Sequence, residues 1–261
     1  MRKHCIYTLC LILVLGIGMG CGGKKVVIDP DATSDEELFE LGQQSIDKDP
    51  EKGRLYLRQV IDSFPRSFYA QRAKLVIADS YFKQGDESSM IIASSEYREF
   101  ISLFPYSPSA AYAQYQIAQS YFKKALKPGR DQSKTKQALV EFKQVISKYP
   151  FSEEAEQARE NVRDCEERLA QHSFTIAYHY YKRHAYKAAV SRLTEILTEY
   201  PDFSEMDQVY FILAEAYYKG RMFDQGVPYY QKLISDYPNS KYSALAVSRM
   251  AEIDKIPIKK D

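Results

Sequence analysis

Residues 214–238 read AEAYYKGRMFDQGVPYYQKLISDYP, and the spacing within this stretch decides the fold. Small residues stand twelve positions apart at Ala214 and Gly226, a large residue follows at Tyr230, and the stretch ends on Tyr237-Pro238. Small residues let two helices approach closely, the large residue fills the space between them, and proline ends the second helix. The stretch therefore predicts one helical hairpin of the tetratricopeptide type.

The same spacing occurs five times along the chain. An aromatic residue precedes each proline, and the prolines are Pro65, Pro105, Pro150, Pro201 and Pro238. Twelve positions before them lie Gly53, Ala93, Ala138, Ala189 and Gly226, and eight positions before them lie Leu57, Tyr97, Phe142, Leu193 and Tyr230. The first helices share an Ala-x-x-Tyr pattern that begins at Ala78, Ala118, Ala177 and Ala214. Repeats of this kind predict an all-α, tetratricopeptide-like solenoid of five helical hairpins.

Two further helices are expected outside the hairpins. The prolines of the third and fourth repeats are 51 residues apart, well above the 34-residue period of the repeat. Ser152 to Gln171 fills this excess with an apolar seam at Ala155, Ala158, Val162, Cys165 and Leu169, and we expect it to run almost continuously into the next helix at Phe174. Lys241 to Ile253 predicts a capping helix with Tyr242, Leu245, Ala246, Met250 and Ile253 on one face.

The N-terminus has the features of a secretory signal. Arg2 and Lys3 precede a short apolar run, which ends in Gly18-Met19-Gly20-Cys21-Gly22. This ending resembles a bacterial lipobox, although Gly18 replaces the usual leucine. The resemblance implies cleavage before Cys21, a covalent lipid on Cys21, and sorting to the outer membrane, since Gly22 is not the aspartate typical of inner-membrane retention.

The composition predicts no enzyme, no metal site and no nucleic-acid partner. Lys and Arg number 36 against 35 Asp and Glu, and the two signs are interspersed along the chain, so neither nucleic acid nor anionic lipid is indicated. His172, His179 and His184 are too far apart to complete a ligand set, and Cys165 lies on the apolar seam. Glycine-rich phosphate loops and hydrolase motifs are missing from the sequence. We expect no cofactor other than the covalent lipid on Cys21.

A lipobox followed by five hairpins with [Phe/Tyr]-Pro-x-Ser turns and an added helix before the fourth resembles the BamD family of outer-membrane assembly lipoproteins. The resemblance implies a lipid-anchored, non-catalytic scaffold on the periplasmic face of the outer membrane. It implies docking on the periplasmic domains of the barrel-forming, BamA-like subunit and reception of unfolded outer-membrane proteins. The expected segments are a signal peptide (1–20), lipidated cysteine and tether (21–35), repeats one to three facing substrate (36–151), a connecting helix (152–171), and repeats four and five with the cap as the docking half (172–261).

Two other functions fit the sequence less well than this one. A periplasmic tetratricopeptide adaptor of the Tol-Pal or cell-division type usually has fewer repeats and no lipid, and Cys21 argues against it. An envelope hydrolase with a tetratricopeptide appendage would need a catalytic domain, for which no residues remain.

A peptide-binding groove is predicted on the first helices of repeats one to three, because first helices line the groove in tetratricopeptide proteins. Aromatic faces beside basic groups suit a chain end that carries an aromatic side chain and a carboxylate. The alternative is that Phe82 and Phe122 only pack inside their hairpins. The predicted groove residues are Arg72, Asp79, Phe82, Lys83, Tyr112, Tyr115, Gln119, Phe122 and Lys123.

Arg192 is the predicted docking residue for the barrel-forming subunit. It lies between the close-packing Ala189 and the large Leu193. An arginine at this place resembles the one that the BamD family uses for docking, and the resemblance implies the same role here. The alternative is a surface ion pair with Glu195 or Glu199, of little energetic value.

Overall fold

The structure, a computed structural model, describes residues 34–255 as eleven α-helices without β-strands. The signal peptide, Cys21 and nearly all of the predicted tether lie outside the described residues, as do residues 256–261. The helices are α1 (Asp35–Ile46), α2 (Pro50–Ser63), α3 (Phe68–Gln84), α4 (Glu87–Leu103), α5 (Ala110–Phe122), α6 (Ser133–Lys148), α7 (Glu153–Lys182), α8 (Tyr186–Glu199), α9 (Met206–Lys219), α10 (Phe223–Asp236) and α11 (Lys241–Ile253).

The described chain falls into two compact units, one ending at Ala73 and one beginning at Lys74. The first unit contains the hairpin of α1 and α2. The boundary lies within α3, and the second unit contains α3 from Lys74 onwards and the helices after it, with α5 packed on α6, α7 on α8, α9 on α10, and α11 on α10. The predicted fold class, five tetratricopeptide-like hairpins with an added helix and a cap, is confirmed. The division into a substrate-facing and a docking half stays a prediction.

The predicted spacing positions form the interior of every hairpin. The five large residues that precede the prolines by eight positions are completely buried. The small residues twelve positions before each proline are buried as well, and so are the alanines of the Ala-x-x-Tyr pattern. Each aromatic residue before a proline is the C-cap of its helix and donates its backbone N–H to the carbonyl four residues earlier, from Phe64 to Tyr237.

The serines of the Pro-x-Ser turns hold the start of the next repeat. The Oγ atoms of Ser67, Ser107, Ser152 and Ser240 each accept a backbone N–H two or three residues further on. Ser240 also donates to the Asp207 carboxylate at 2.6 Å, which ties the turn to the first helix of the preceding hairpin. These bonds satisfy backbone donors that a helix leaves open at its N-terminus.

The added helix is continuous with the first helix of the fourth hairpin. Both belong to α7, which has 30 residues. Its predicted seam faces inward, since Ala155, Ala158 and Cys165 are fully buried and pack against Ala138 and Phe142 of the third hairpin. Burial raises the pKa of the Cys165 thiol to about 12, which keeps it an inert apolar group.

The predicted inner face of the capping helix is wrong at one position. Leu245 is half exposed, whereas Ala246 and Ile253 are buried and Tyr242 and Met250 pack beside them. The helix is rotated so that its small residues, Ser243 and Ala246, face α10, which leaves Leu245 on the solvent side.

Candidate functional site

A row of aromatic–cation pairs runs along the first helices of the second unit. The residue four positions after each alanine of the Ala-x-x-Tyr pattern is aromatic, and a cation from a later segment of the chain lies over its ring. The pairs are Lys123 over Phe82, Arg168 over Phe122, Lys219 over Tyr181 and Arg249 over Tyr218, at 4.1, 5.1, 5.0 and 4.4 Å from the ring centroids. We call these four pairs the aromatic–cation ladder.

The ladder includes three of the predicted groove residues. Phe82 packs edge-on against Tyr97, and Phe122 packs edge-on against Phe142, so both rings also help to hold their hairpins together. Lys123 and Arg168 also lie over these two rings. Phe82 and Phe122 therefore pack within their hairpins and also contact a cation of another helix. Their role in peptide binding stays a prediction.

Asp79 is the centre of a partly buried hydrogen-bond network. Its Oδ1 atom accepts the hydroxyl of Tyr97 at 2.5 Å and that of Tyr112, from the next repeat, at 2.8 Å. Burial raises the pKa of the Asp79 carboxyl, although both tyrosine donors oppose the shift. Burial together with the nearby Asp79 charge raises the pKa of Tyr112 to about 12. Asp79 and Tyr112 thus join two repeats and have limited capacity for a ligand.

A second network joins the third repeat to the added helix. Tyr115 donates its hydroxyl to the side-chain oxygen of Asn161 at 2.9 Å, and the Gln119 amide donates to Tyr115 at 2.7 Å. Asn161 and Arg168 both come from the part of α7 that the sequence analysis assigned to a connecting helix. Their contribution to this face was missed because an added helix has no counterpart in the repeat spacing.

The remaining groove residues are less closely associated. Lys83 is exposed at the end of α3. Arg72 belongs to the first unit, where its guanidinium lies 4.7 Å from the centroid of the Phe39 ring.

Arg192 lies on the exposed surface of α8. Its Nη1 atom contacts Glu195 Oε2 at 2.9 Å, and both side chains are about half exposed, at 52% and 47%. This is the surface ion pair considered as the alternative to docking. The equivalent positions in repeats two and three, directly before the buried large residue, are Glu96 and Glu141, and both of these are only 12% exposed.

The two glutamates have inter-helix partners that Arg192 lacks. Glu96 binds the buried Lys74 ammonium at 2.8 Å, and Glu141 accepts from Gln114 at 2.7 Å and from Arg98 at 2.6 Å. The fourth repeat therefore presents a cation on its surface where repeats two and three have a partly buried carboxylate.

The histidines make local contacts. The Nδ1 atom of His172 lies 2.5 Å from the Pro128 carbonyl oxygen, and that of His184 lies 2.8 Å from the Tyr186 hydroxyl. Within residues 34–255, no group of three or more His, Cys, Asp and Glu side chains could hold a metal ion. In the same range, no helix has both the length and the apolar character needed to cross a bilayer.

Comparisons with known proteins give the chain a family. The family model YfiO, described as outer membrane lipoprotein, matches residues 31–226. The outer membrane protein assembly factor BamD of Pasteurella multocida is 25% identical over 224 residues, which cover 83% of this chain and 85% of the relative. The BamD of Caulobacter vibrioides is 30% identical over 212 residues, covering 80% and 68%. The TPR2AB domain of yeast Sti1, solved in a complex with pHSP90, has a TM-score of 0.43 at 13% identity and covers 84% of this chain and 85% of its own.

Proposed function

This chain belongs to the YfiO family of outer membrane lipoproteins, and from that membership we propose that it is a scaffold of outer-membrane protein assembly. The observation that carries the proposal is the match of the family model to residues 31–226, together with relatives that are named as outer membrane protein assembly factors. A stack of helical hairpins offers extended surfaces for protein partners, which suits such a scaffold. No catalytic step is assigned to it.

In the proposed arrangement, the protein is held on the periplasmic face of the outer membrane by lipid on Cys21. A multiply acylated cysteine would bury many CH₂ groups and act as a permanent anchor. Mass spectrometry of the mature N-terminus tests this. An unmodified Cys21, or an intact segment 1–20, would exclude the anchor.

The first binding role is the reception of unfolded outer-membrane proteins at the aromatic–cation ladder. Phe82 and Phe122 offer ring surfaces, and Lys123 and Arg168 are already held above them. A chain end with an aromatic side chain and a free carboxylate could stack on a ring and pair with the cation beside it. Hydrogen bonds to charged groups contribute about 1.5–3 kcal/mol each, so losing one would weaken binding roughly 10- to 150-fold.

The test uses a synthetic peptide with the C-terminal sequence of a barrel protein. Phe82→Ala with Phe122→Ala should abolish binding, but these rings also pack against Tyr97 and Phe142. The variant Lys123→Glu with Arg168→Glu keeps the rings and reverses only the charges. Lys148→Glu, an exposed charge reversal away from the ladder, is the control. Unchanged peptide affinity in the folded Lys123→Glu, Arg168→Glu variant would reject the groove.

The second binding role is docking on the barrel-forming subunit through Arg192. Its pair with Glu195 is exposed on both sides and joins residues three apart, so it contributes only about 0.3–0.5 kcal/mol and is easily replaced. The planar guanidinium can then form two parallel hydrogen bonds to a partner carboxylate. Truncating one member of such a pair at an interface costs roughly 2–5 kcal/mol.

Crosslinking in intact cells, followed by purification of this chain, tests docking and the assembly role together. Arg192→Ala should lose the barrel-forming subunit and keep the parent's melting temperature. Arg159→Ala is the control, because Arg159 is a partly exposed arginine of α7, at 40%, that also pairs three residues away, with Glu156. Retained association of the Arg192→Ala variant would reject the docking role. Recovery of Tol-Pal or division proteins instead of a barrel-forming subunit would reject the assembly role.

A further inference from the structure

The turn between α5 and α6 is strongly basic. Residues 123–136 read KKALKPGRDQSKTK, with six Lys and Arg residues against one acidic residue, in a chain whose formal net charge is only +1. The charges of the whole chain are balanced, but this segment concentrates a local excess of five positive charges. It is the longest insertion in the hairpin turns relative to the tetratricopeptide period.

The basic turn is held in shape by its own hydrogen bonds. The buried Gln132 amide donates to the carbonyl oxygens of Lys127 and Arg130 at 2.9 and 3.1 Å, and Gln132 Oε1 accepts the Thr135 hydroxyl at 2.8 Å. The Pro128 carbonyl contacts His172 of α7. Since the backbone is already ordered, little backbone conformational entropy is lost when the turn binds a partner.

Half of the six basic side chains are uncommitted. Lys123 and Lys134 lie over the rings of Phe82 and Tyr121, and Lys124 donates to the Gly85 carbonyl. Lys127, Arg130 and Lys136 are exposed and form no ion pair with any carboxylate of residues 34–255. Asp131 does not neutralise them at short range, because its oxygens accept the N–H and hydroxyl of Ser133.

Exposed apolar side chains lie among these charges. Leu126, in the middle of the basic turn, is 51% exposed. Ile91 and Val140, on α4 and α6, are 60% and 57% exposed. Ile91 lines a surface depression together with Lys124, Lys134 and Glu87, and Val140 lines another with Lys136 and Glu141. Apolar and cationic groups on one surface are the combination that favours the interface of an anionic bilayer.

The opposite ends of the hairpins carry the opposite charge. The turn into α7 is followed by Glu153, Glu154 and Glu156. The turn between α8 and α9 contains Asp202 and Glu205 and is flanked by Glu199 and Asp207. An anionic surface would attract the α5–α6 end of the second unit and repel the other end. The charge distribution thus selects one orientation.

We propose that the basic turn 123–136, with Ile91 and Val140 beside it, rests on the anionic phospholipid headgroups of the membrane that this lipoprotein family occupies. Lys127, Arg130 and Lys136 contact headgroup phosphates, and Leu126 enters the interfacial layer. An acidic protein would satisfy the cations but would leave the apolar side chains without a matching environment, so the bilayer is the better partner. The contact fixes the orientation of the second unit at the membrane.

The chain contains no tryptophan, so a single Leu126→Trp substitution provides an unambiguous fluorescent reporter. The full chain is reconstituted with nanodiscs of phosphatidylethanolamine and phosphatidylglycerol, or of phosphatidylcholine alone. Emission of the Leu126→Trp variant should shift to shorter wavelength only with phosphatidylglycerol. Adding Lys127→Glu and Arg130→Glu should abolish the shift. Phe151→Trp, at a fully exposed position of the opposite turn, is the control and should show no difference between the two lipids.

Two results would overturn the proposal. The first is an equal emission of the Leu126→Trp variant in both lipids. The second is a shift produced by polyglutamate added to phosphatidylcholine nanodiscs but not by phosphatidylglycerol, which would assign the basic turn to an acidic protein.

Discussion

Gly53 and Gly226 occupy the same position in the first and fifth repeats, yet alanine should be tolerated at only one of them. A Cβ atom added at Gly53 would lie 2.6 Å from Ile46 Cα and 2.8 Å from Ile46 N. Backbone atoms cannot rotate away, so α1 and α2 would have to separate. A Cβ at Gly226 would lie 3.1 Å from the Ala214 carbonyl oxygen and from Tyr217 Cβ, a contact that small shifts can relieve.

Both substitutions gain the same helix preference of alanine, so the difference in stability between them comes from the steric contacts of the added Cβ atom. Alanine is better than glycine within a helix by about 1 kcal/mol. Overpacking a closely packed interior costs roughly 1–3 kcal/mol. At Gly53 the backbone clash should exceed the helix preference, for a net loss of about 1–2 kcal/mol. At Gly226 the two effects should nearly cancel.

Circular dichroism during urea unfolding measures the free energy of unfolding, and hydrogen exchange of α1 and α2 shows whether the loss is confined to the first hairpin. Gly53→Ala should increase exchange in these helices, while Gly226→Ala should leave α9 and α10 protected as in the parent. A Gly53→Ala variant as stable as the parent, or an equal loss for Gly226→Ala, would refute the reasoning.

Burial raises the pKa of Asp79 in the folded state, so the parent loses stability as the pH rises from the unfolded-state pKa of about 3.9 through the folded-state pKa. Asp79→Asn does not titrate and should therefore gain stability relative to the parent between about pH 3 and about pH 7. Urea unfolding that shows the same difference at both pH values would contradict this. Tyr230→Phe removes a hydroxyl that donates to the buried Glu215 at 2.7 Å, and it should lower the free energy of unfolding by about 1 kcal/mol. An unchanged urea midpoint would show that Arg249 alone satisfies this carboxylate. Arg221 has a φ of 60°, so Arg221→Gly should raise the free energy of unfolding by about 1 kcal/mol. A lower melting temperature of the variant would show that the Arg221 side chain contributes more to stability than the backbone strain costs. Cys165 has a buried thiol with a raised pKa, so it should react with iodoacetamide only in urea. Mass spectrometry of the peptide that contains Cys165 measures the labelling, and rapid labelling of the native protein would mean that α7 opens.

The helices could be predicted from the sequence because their determinants are local. Proline ends a helix wherever it occurs, and a serine two residues later can accept a backbone donor without help from the rest of the chain. The interior positions followed from the same spacing, since Ala93 and Tyr97 meet the neighbouring helix whatever lies beyond the hairpin. This covers the fold almost entirely.

The candidate site was predicted only in part because it depends on how consecutive repeats are rotated. Phe82 and Lys123 were both named, but their contact joins two repeats and no spacing within one repeat contains it. Arg168 was missed because α7 extends beyond the repeat pattern. A signal was nevertheless present, in the aromatic residue four positions after each alanine, at Phe122 and Tyr218 as at Phe82.

Turn conformations were a second limit. Gly85 has a φ of 75° in the turn of the second repeat, as its lack of a side chain favours. In the fifth repeat, Gly220 is helical in φ at −77°, and the left-handed conformation falls on the next residue, Arg221. Glycine in the sequence predicts where the turn lies, but it does not predict whether the glycine or the residue after it adopts the left-handed conformation.

The continuity of α7 has a consequence for how this protein can change in length. A helix of 30 residues is about 45 Å long at 1.5 Å per residue, and each added residue would turn everything after it by about 100°. One inserted residue between Arg168 and Tyr181 would therefore rotate one of these two side chains away from the helix that it contacts. Relatives should accordingly differ in length in the turn around Pro128, where an insertion disturbs nothing downstream, and keep the number of residues within α7 unchanged.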